Sequence, residues 1–385
     1  MHLERNRIRY LKVLGPPAVI EGDVVSSVRI VVTMVLGSLL LAACGSGESD
    51  GSTSPGESKP VELRFASYIG EAAPQSQSVE WWAREVSSRS HGTIKVKSFY
   101  NESLLKGTEI LPGVAQGRAD LGYMANAYFP AELPLTSVVE VPFTNSNAVA
   151  QSQALMDLYE NDATYAKEWE QQGVHVLYFP VLGGNVLGTR EHVTSLADLK
   201  GKSIRGLGLV NEALVGVGAN AVALTAAEIY EAVQRKVVDG FSGFAFEVIP
   251  ALKLQEVASN ITDTGLGEYA ASVIVMDLEV YKGLSQEQRA VVDEVSREAF
   301  DQSVALLVKV EDTTCKAIKA AGGSITRLND ADIAKWRDAI GSKLVDKWSS
   351  ERGSRRFYEA YVALVKKYAS ESDYVPGVER CASGQ

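Results

Sequence analysis

The chain has 385 residues, of which 46% are hydrophobic and 22% are charged, and its formal net charge is −10. These proportions are those of a globular protein that is long enough for two domains of ordinary size. The negative charge argues against nucleic acid and against an anionic lipid surface as partners, because both require a basic protein surface.

The N-terminal region predicts export from the cytoplasm. Arg29 precedes a mostly apolar run of 14 residues, Ile30 to Ala43, which is shorter than the roughly 20 residues that a membrane-spanning helix needs. A positive residue, a short apolar run and small residues before a break are typical of a signal peptide, here residues 1–43. The run ends Leu41-Ala42-Ala43-Cys44, which resembles a bacterial lipobox and implies that Cys44 carries lipid. An ordinary signal peptide with an incidental cysteine is the alternative.

The next segment predicts a flexible, lipid-anchored linker. Residues 44–60 are rich in Gly, Ser, Glu and Pro and contain almost no apolar residue, a composition typical of flexible spacers. The fold then begins with an alternating strand pattern at Val61, Leu63 and Phe65. Helix patterns at 76–89 and 109–116 alternate with strand patterns at 94–99 and 119–124. This alternation predicts an α/β fold with a largely parallel sheet.

The second half of the chain continues the alternation and adds one long helix. Strand patterns occur at 174–179, 202–205 and 221–224, a helix pattern occurs at 211–217, and a capping box at Thr225 opens a helix to about Lys236. A second capping box at Ser285 starts a helical pattern that runs without Pro or Gly to Ala321. A helix of about 55 Å is longer than one small domain, so we interpret it as a brace shared by two lobes.

The sequence predicts neither an enzyme nor a cofactor or metal site. The segment Gly216-Val217-Gly218-Ala219-Asn220-Ala221 matches a loose dinucleotide motif, but it follows a helix and precedes a strand, which reverses the required order. The histidines have no metal-ligand spacing. Ser242 is the one candidate nucleophile, and the sequence implies no base for it.

Several short segments follow one another in a specific order and spacing. They are Leu104-Leu105-Lys106-Gly107, Gly117-Arg118-Ala119-Asp120-Leu121-Gly122, Asp198-Leu199-Lys200-Gly201 with Ile204-Arg205, Glu228-Ile229-Tyr230-Glu231-Ala232-Val233-Gln234 and Val237-Val238-Asp239-Gly240. Together, over about residues 61–310, they resemble the solute-binding proteins of tripartite ATP-independent periplasmic (TRAP) transporters.

This resemblance implies a two-lobed, periplasmic-binding-protein-like α/β fold with crossing hinge strands, a long brace helix and a ligand cleft between the lobes. Lobe I would comprise residues 61–186 and 271–310. Lobe II would comprise residues 187–270 and 311–375, followed by a C-terminal tail at 376–385.

The resemblance also implies that Arg205 binds a ligand carboxylate. The planar guanidinium can donate two parallel, charge-assisted hydrogen bonds to one carboxylate. Arg190, in the sequence Gly188-Thr189-Arg190, matches a second ligand arginine of certain family members, with a solvent-facing loop arginine as the alternative. The predicted ligand is therefore a small organic acid.

Further candidate ligand residues lie near the ends of predicted strands, where the ligand loops of open α/β sheets are found. In lobe I these candidates are Tyr68, Glu71, Tyr123, Asn126 and Tyr128, and Glu71 in the cleft would favour an amine-bearing ligand.

In lobe II, Phe241 and Phe244 would provide aromatic walls that favour a smaller or more apolar carboxylate over a sugar acid. Ordinary core packing explains these phenylalanines equally well. After Cys44, only Cys315 and Cys381 remain, and a disulfide between them or two unpaired buried thiols are both compatible with an oxidising compartment.

We therefore expect a receptor that is lipid-anchored on the outer face of the cytoplasmic membrane. As a monomer, it would capture an organic acid by hinge closure and deliver it to the small and large membrane subunits of a TRAP transporter, with no cofactor. A sensory binding lipoprotein and a cell-envelope lipoprotein enzyme on the same scaffold are the alternatives.

Overall fold

Residues 59–384 are described by the computed structural model. The predicted signal peptide at 1–43, the predicted lipidation site Cys44 and most of the predicted linker at 44–60 lie outside the described residues. Between residues 59 and 384, no helix combines the length and apolarity that crossing a membrane requires.

Strands and helices alternate along the described part of the chain. The strands are β1 (Val61–Ser67), β2 (Ile94–Phe99), β3 (Leu121–Ala125), β4 (Val174–Tyr178), β5 (Asn185–Thr189), β6 (Ser203–Gly206), β7 (Asn220–Ala223), β8 (Gly240–Ala245), β9 (Asn260–Asp263), β10 (Ser272–Asp277) and β11 (Ser324–Arg327). The α-helices are α1 (Pro74–Arg89), α2 (Ile110–Ala115), α3 (Ala148–Asn161), α4 (Ala163–Gln171), α5 (Gly208–Gly216), α6 (Ile229–Gln234), α7 (Leu278–Gly283), α8 (Gln286–Ala320), α9 (Asp330–Glu351), α10 (Arg355–Glu371) and α11 (Gly377–Ser383). Each strand or helix predicted above is confirmed by an element of the same type.

The strands form two sheets, and both are mixed rather than largely parallel. Sheet A has the order β2-β1-β3-β10-β4, and sheet B has the order β11-β9-β5-β8-β6-β7. Most neighbours of β1 and β6 are parallel, as predicted. In contrast, β10 and β5 are antiparallel to both of their neighbours. The prediction was wrong for these two strands because each of them enters its sheet directly from a strand of the other sheet.

Two segments therefore cross side by side between the sheets, and we call them the crossing segments. The first, residues 179–184, leads from β4 to β5, and the second, residues 264–271, leads from β9 to β10. The backbone N–H of Asn185 donates a hydrogen bond of 2.9 Å to the carbonyl oxygen of Gly267. This bond ties the start of β5, directly after the first crossing segment, to the second crossing segment, at the position expected for a hinge.

Helix α8 extends past both sheets, as predicted for a brace. Its capping box forms as expected, since the Ser285 hydroxyl accepts from the Gln288 N–H at 3.1 Å and the Ser285 N–H donates to the Gln288 side chain at 3.1 Å. The helix runs for 35 residues. It packs on α1 and β4 beside sheet A and on β11 and α11 beside sheet B.

Hydrophobic clusters cover both faces of each sheet. Phe65 and Trp82 belong to the cluster between sheet A and helices α1 and α8, and Phe241 and Ile261 belong to the cluster of sheet B. The strands of sheet A lie within the residues predicted for lobe I and those of sheet B within the residues predicted for lobe II, except that β5 begins at Asn185, two residues before the predicted boundary. The lobe boundaries stay a prediction. Helix α10, in the predicted lobe II, packs on α3 of the predicted lobe I.

Candidate ligand-binding site

A cavity of about 240 Å³ lies between the two sheets. The carboxyl ends of β3, β6 and β8 and both crossing segments contribute to its walls, which is where open α/β sheets carry their ligand sites. Its apolar side chains include Ile69, Leu182, Leu207, Phe244, Val248 and Leu252, and its tyrosines are Tyr68, Tyr123, Tyr128 and Tyr269. The cavity is thus mostly apolar and aromatic, and Arg205 contributes a positive charge to it.

Arg205 is held rigidly at the wall of this cavity. It lies on β6, its exposed fraction is 1%, and its guanidinium stacks over the Phe244 ring at 4.0 Å from the ring centroid. Its Nε donates to the carbonyl oxygen of Leu224 at 2.9 Å, and its Nη1 donates to those of Ser242 and Gly243 at 3.1 and 2.7 Å. Burial lowers the pKa of Arg205 from its usual value, yet an arginine remains protonated in proteins.

These bonds change the expected mode of carboxylate recognition. Of the five N–H donors of a guanidinium, three are already used by backbone carbonyls. The two N–H donors of Nη2 make no hydrogen bond within residues 59–384. The predicted fork of two parallel bonds from two nitrogens is therefore not free in this arrangement, and Nη2 is the nitrogen left for a ligand.

The tyrosines surround the guanidinium. The rings of Tyr68 and Tyr123 stack with centroids 5.4 Å apart, and Tyr68 meets Tyr128 edge to face at 5.5 Å. Tyr68, Tyr128 and Tyr269 line the same cavity as Arg205. Burial raises the pKa of each of these three phenols, so their hydroxyls keep their protons and can donate hydrogen bonds.

Five of the predicted ligand residues line this cavity. They are Arg205, Tyr68, Tyr123, Tyr128 and Phe244. The Tyr123 hydroxyl is also hydrogen-bonded to the Ser272 hydroxyl at 2.8 Å, which fixes its ring in the wall.

The other four predicted residues lie elsewhere, each for an identifiable reason. Arg190 lies outside the cavity wall, and its Nη2 donates to the carbonyl oxygens of Val233 and Val238. The Asn126 side chain is buried, and it bonds the Glu140 carboxylate at 3.0 Å and the Ala271 N–H at 2.7 Å.

Phe241 points into the core of sheet B and Glu71 is exposed to solvent. The Phe241 ring fills the space above Gly188, where a β-carbon would collide with it. Phe241 contributes to the site only indirectly, because its ring packs edge to face against Phe244 with centroids 5.7 Å apart.

Sequence reasoning missed several wall residues, among which Tyr269 and Glu102 carry polar groups. Tyr269 lies on the second crossing segment, which has no strand or helix pattern that would signal a wall position. Glu102 follows β2 and accepts a hydrogen bond of 2.9 Å from the Gly107 N–H. Its position just after a predicted strand is the sequence feature that could have identified it as a wall residue.

A second cavity, of about 210 Å³, opens beside the start of the C-terminal helix α11. Arg327 in its wall already forms an ion pair with Asp263, and Arg337 lies over the Phe143 ring at 5.8 Å. Arg327 thus has an acidic partner within the described chain, in contrast to Arg205. Among residues 59–384, no group of three or more His, Cys, Asp or Glu side chains is arranged to hold a metal ion.

The two cysteines of the described chain are joined as a disulfide in the structure. Cys315 lies on α8 and Cys381 on α11, and their Cα atoms are 6.0 Å apart. The bond attaches the predicted C-terminal tail to the brace helix. Val378 of the same tail packs in the hydrophobic cluster of sheet B.

Comparisons with known proteins agree with this architecture. The family model for bacterial extracellular solute-binding proteins of family 7, DctP, matches residues 65–351. The outer membrane transporter protein TsaT of Comamonas testosteroni is 26% identical over 279 residues, which cover 72% of this chain and 82% of TsaT. The ectoine-binding periplasmic protein TeaA of Halomonas elongata is 23% identical over 359 residues, which cover 90% of this chain and 98% of TeaA.

A solved structure shows that the similarity includes the fold as well as the sequence. It is a TRAP solute-binding protein of an unidentified marine microbe, specific for aromatic acid ligands and crystallised with 3-hydroxybenzoate. It aligns with a TM-score of 0.74 and 26% identity over 80% of this chain and 99% of that chain. The chain belongs to the bacterial extracellular solute-binding proteins of family 7 (DctP), the solute-binding proteins of TRAP transporters.

Proposed function

We propose that the chain captures a small monocarboxylate with an apolar or aromatic body in the cavity between the sheets, and that Arg205 binds the carboxylate. One observation carries the proposal. Arg205 is buried in the cavity wall, and it pairs with no acidic side chain among the residues that the structure describes. A buried charge without a counter-charge is strongly unfavourable. A ligand carboxylate would supply that counter-charge.

The donors around Arg205 suit one carboxylate. Nη2 can donate to one of its oxygens, and the protonated hydroxyls of Tyr68, Tyr128 and Tyr269 can donate to both. Charge-assisted hydrogen bonds of this kind are stronger than neutral ones. A neutral ligand would leave the guanidinium buried without a counter-charge, so the site should discriminate strongly against amides and alcohols.

The remaining walls suit an apolar or aromatic body. Phe244, Leu182 and Leu252 offer apolar contact area, and aromatic rings prefer stacked or edge-to-face neighbours of the kind that the tyrosines provide. The related protein crystallised with 3-hydroxybenzoate is specific for aromatic acids. This relative supports an aromatic acid as the first ligand to test.

Binding is proposed to couple to closure of the two sheets about the crossing segments. Tyr128 approaches the cavity from sheet A and Arg205 from sheet B, so a carboxylate held by both stabilises the closed state. A ligand shifts such an equilibrium only by its difference in affinity for the open and closed states. The bound acid would then pass to the small and large membrane subunits of a TRAP transporter, with energy from an ion gradient through those subunits.

We further propose that Cys44 carries lipid and anchors the protein on the outer face of the cytoplasmic membrane. The lipobox-like segment Leu41-Ala42-Ala43-Cys44 and the Gly/Ser-rich linker after it support this proposal. Labelled palmitate should be incorporated into the full chain and lost in Cys44→Ser. Wild-type protein that incorporates no labelled palmitate would contradict the lipid anchor and leave secretion as the remaining interpretation.

An acid that also carries an amine is the second candidate ligand. Glu102 favours it, because this carboxylate lies in the wall of the same cavity. The related ectoine-binding protein TeaA supports the same class of ligand. Catalysis on the ligand is less well supported, since the Ser242 hydroxyl is fully buried and donates to the Asn185 side-chain oxygen at 3.1 Å, not to a base.

Isothermal titration of the purified chain with matched ligands tests the proposal. 3-Hydroxybenzoate should bind, and 3-hydroxybenzamide, which has the same shape without the charge, should not. Equal affinity for the acid and the amide would overturn the role of Arg205. Tighter binding of ectoine than of 3-hydroxybenzoate would favour the second candidate. Mass spectrometry of the recovered ligand should show it unchanged, and a product would indicate an enzyme.

A further inference from the structure

Three glutamate side chains are buried at the hinge, outside the ligand cavity. Glu247 lies in the turn after β8, Glu268 on the second crossing segment and Glu311 in the C-terminal half of α8. Their exposed fractions are 1%, 3% and 0%. We call these three residues the hinge carboxyl cluster.

The three carboxyl groups meet at one point of the first crossing segment. A β-carbon built on Gly183 would lie 2.5 Å from Oε2 of Glu247 and 3.4 Å from Oε1 of Glu311. One built on Gly184 would lie 3.6 Å from Oε1 of Glu268. The absence of a side chain at Gly183 leaves room for the Glu247 carboxyl group, whereas the distance at Gly184 corresponds to an ordinary van der Waals contact with the Glu268 carboxyl group.

Several oxygens of the cluster have hydrogen-bond donors. Oε1 of Glu247 accepts from Nε2 of Gln75 at 2.9 Å and from the Gly183 N–H at 3.1 Å. Oε1 of Glu311 accepts from the Tyr374 hydroxyl at 2.8 Å and from the Gly377 N–H at 2.9 Å.

Three other oxygens of the cluster lack a donor. Oε2 of Glu247 and both carboxyl oxygens of Glu268 have no hydrogen-bond partner within residues 59–384. Buried polar atoms in native proteins are nearly always hydrogen-bonded. Three buried acceptor oxygens in one place therefore require a donor that these residues do not supply.

The charges around the cluster do not balance three carboxylates. In the described part of the chain, the one cation paired with the cluster is Arg380, whose Nη2 lies 3.4 Å from Oε2 of Glu311 and 3.0 Å from Oδ1 of Asp312. The other titratable side chains that interact electrostatically with the cluster are phenols, which are neutral when protonated. They are Tyr123, Tyr269, Tyr361 and Tyr374.

We propose that the hinge carboxyl cluster is a proton-binding site, which retains at least one proton at neutral pH and thereby holds the crossing segments against α8. A protonated carboxyl group is itself the missing donor, and it relieves the repulsion between neighbouring carboxylates. This arrangement of charges agrees with the direction in which the pKa values of the three glutamates depart from their usual value. Burial raises the pKa of Glu268 well above its usual value, that of Glu311 to about 8 and that of Glu247 to about 7.

The sign of the pH dependence follows from these raised values. Between the ordinary carboxyl pKa of about 4.3 and the raised values, the folded protein binds protons that the unfolded chain has lost. Stability therefore falls as the pH rises through this window. Each such group contributes about a tenfold increase in the unfolding equilibrium constant per pH unit.

Infrared spectroscopy and urea unfolding of the ligand-free full chain test the proposal. Wild-type protein at about pH 7 should show the C=O stretch of a protonated carboxyl group, with the expected shift in heavy water. Glu268→Gln should weaken this band. Between about pH 5 and 7, the unfolding equilibrium constant of this variant should rise about tenfold less per pH unit than that of the wild type. This variant removes no hydrogen bond of the described structure.

Glu160→Gln is the matched control, because Glu160 is exposed on α3, and it should keep the wild-type band and slope. No protonated-carboxyl band in the wild type at neutral pH would overturn the proposal, even if Glu268→Gln does not fold. A missing band together with stabilisation by added sodium or calcium would also overturn it, in favour of a bound cation.

Discussion

The hydroxyl oxygen of Tyr128 accepts a hydrogen bond of 3.0 Å from the backbone N–H of Ala226. Tyr128 follows β3 of sheet A, whereas Ala226 lies between β7 and α6 on the side of sheet B. The contact therefore joins the two sides of the cavity. Because the hydroxyl accepts this bond, its own proton is available for a ligand carboxylate on Arg205. A ligand that binds the Tyr128 hydroxyl would therefore act, through this bond, on the backbone at Ala226 on the sheet B side of the cavity.

Replacing Tyr128 by phenylalanine should weaken binding of 3-hydroxybenzoate by about tenfold, the effect of losing one or two net hydrogen bonds. The ring remains, so the apolar wall is kept and the loss isolates the hydroxyl. Isothermal titration of wild type and variant measures the change. Tyr230→Phe is the control, because the Tyr230 hydroxyl bonds Glu256 at 3.0 Å on the surface, and it should bind like the wild type. Unchanged affinity in Tyr128→Phe would remove the proposed bridge.

Arg205→Lys should reduce affinity for 3-hydroxybenzoate on the order of 100-fold, although it keeps the positive charge. A single ammonium group cannot bond the carbonyl oxygens of Leu224, Ser242 and Gly243 and still present a free donor to the ligand, whereas the guanidinium has five donors. Thermal shift with and without ligand, followed by titration, measures the effect.

Arg190→Lys provides the matched comparison for Arg205→Lys. Arg190 is also an arginine bonded to backbone carbonyls, but it lies outside the cavity wall. Its substitution should lower the unfolding temperature slightly and leave affinity unchanged. A loss of affinity in Arg190→Lys equal to that in Arg205→Lys would mean that the wrong arginine was assigned to the ligand.

Gly243→Ala should weaken ligand binding through Arg205. A β-carbon at this position would lie 3.3 Å from Nη1 of Arg205, and the backbone has φ of +72°. The contact should displace the guanidinium by a few tenths of an ångström, so affinity should fall by a few-fold or more. Gly117→Ala separates this effect from backbone strain, since Gly117 has φ of +69° and no atom within 4 Å of its β-carbon position. Equal ligand affinities in Gly243→Ala and Gly117→Ala would show that the contact with Arg205 has no effect on binding beyond that of backbone strain.

Local patterns were sufficient to predict most elements of the fold. The capping box at Ser285 and the unbroken helical run after it located α8 to within one residue at its C-terminal end. The mixed character of the sheets was not predictable from local patterns. The sequences of β5 and β10 have no feature that distinguishes them from the other strands. Their direction depends on which sheet the preceding strand occupies.

The site was predicted in part, and the misses share one cause. Arg205 lies in the cavity wall, and it could be selected from the sequence because the residues around it resemble a family motif. Arg190 and Asn126 lie outside the cavity wall, and their side chains bond partners that are remote in sequence, at Val233 and Val238 and at Glu140 and Ala271. Such long-range hydrogen bonds decide whether a polar side chain is free for a ligand, and no spacing rule reveals them. Tyr269 was missed for the related reason that it lies on a crossing segment without periodicity.

The Cys315–Cys381 bond predicts that oxidation stabilises the C-terminal helix. Cys381 is buried, and the two cysteines are 66 positions apart in sequence. A bond that closes a loop of this size typically contributes about 2–5 kcal/mol. Removing it in Cys315→Ser/Cys381→Ser should lower the free energy of unfolding by that amount in urea titrations. The affinity for 3-hydroxybenzoate should change little, because neither cysteine lines the cavity.

Peptide mapping without reductant provides the chemical check on exported protein. A cross-linked peptide that contains residues 315 and 381 should be present before reduction and absent after it. Reductant should shift the urea midpoint of the wild type down to that of the double serine variant and leave the variant unchanged. Two free thiols at these positions in the exported protein would contradict the prediction, and the stability of α11 would then rest on Val378 and its neighbours in the hydrophobic cluster of sheet B.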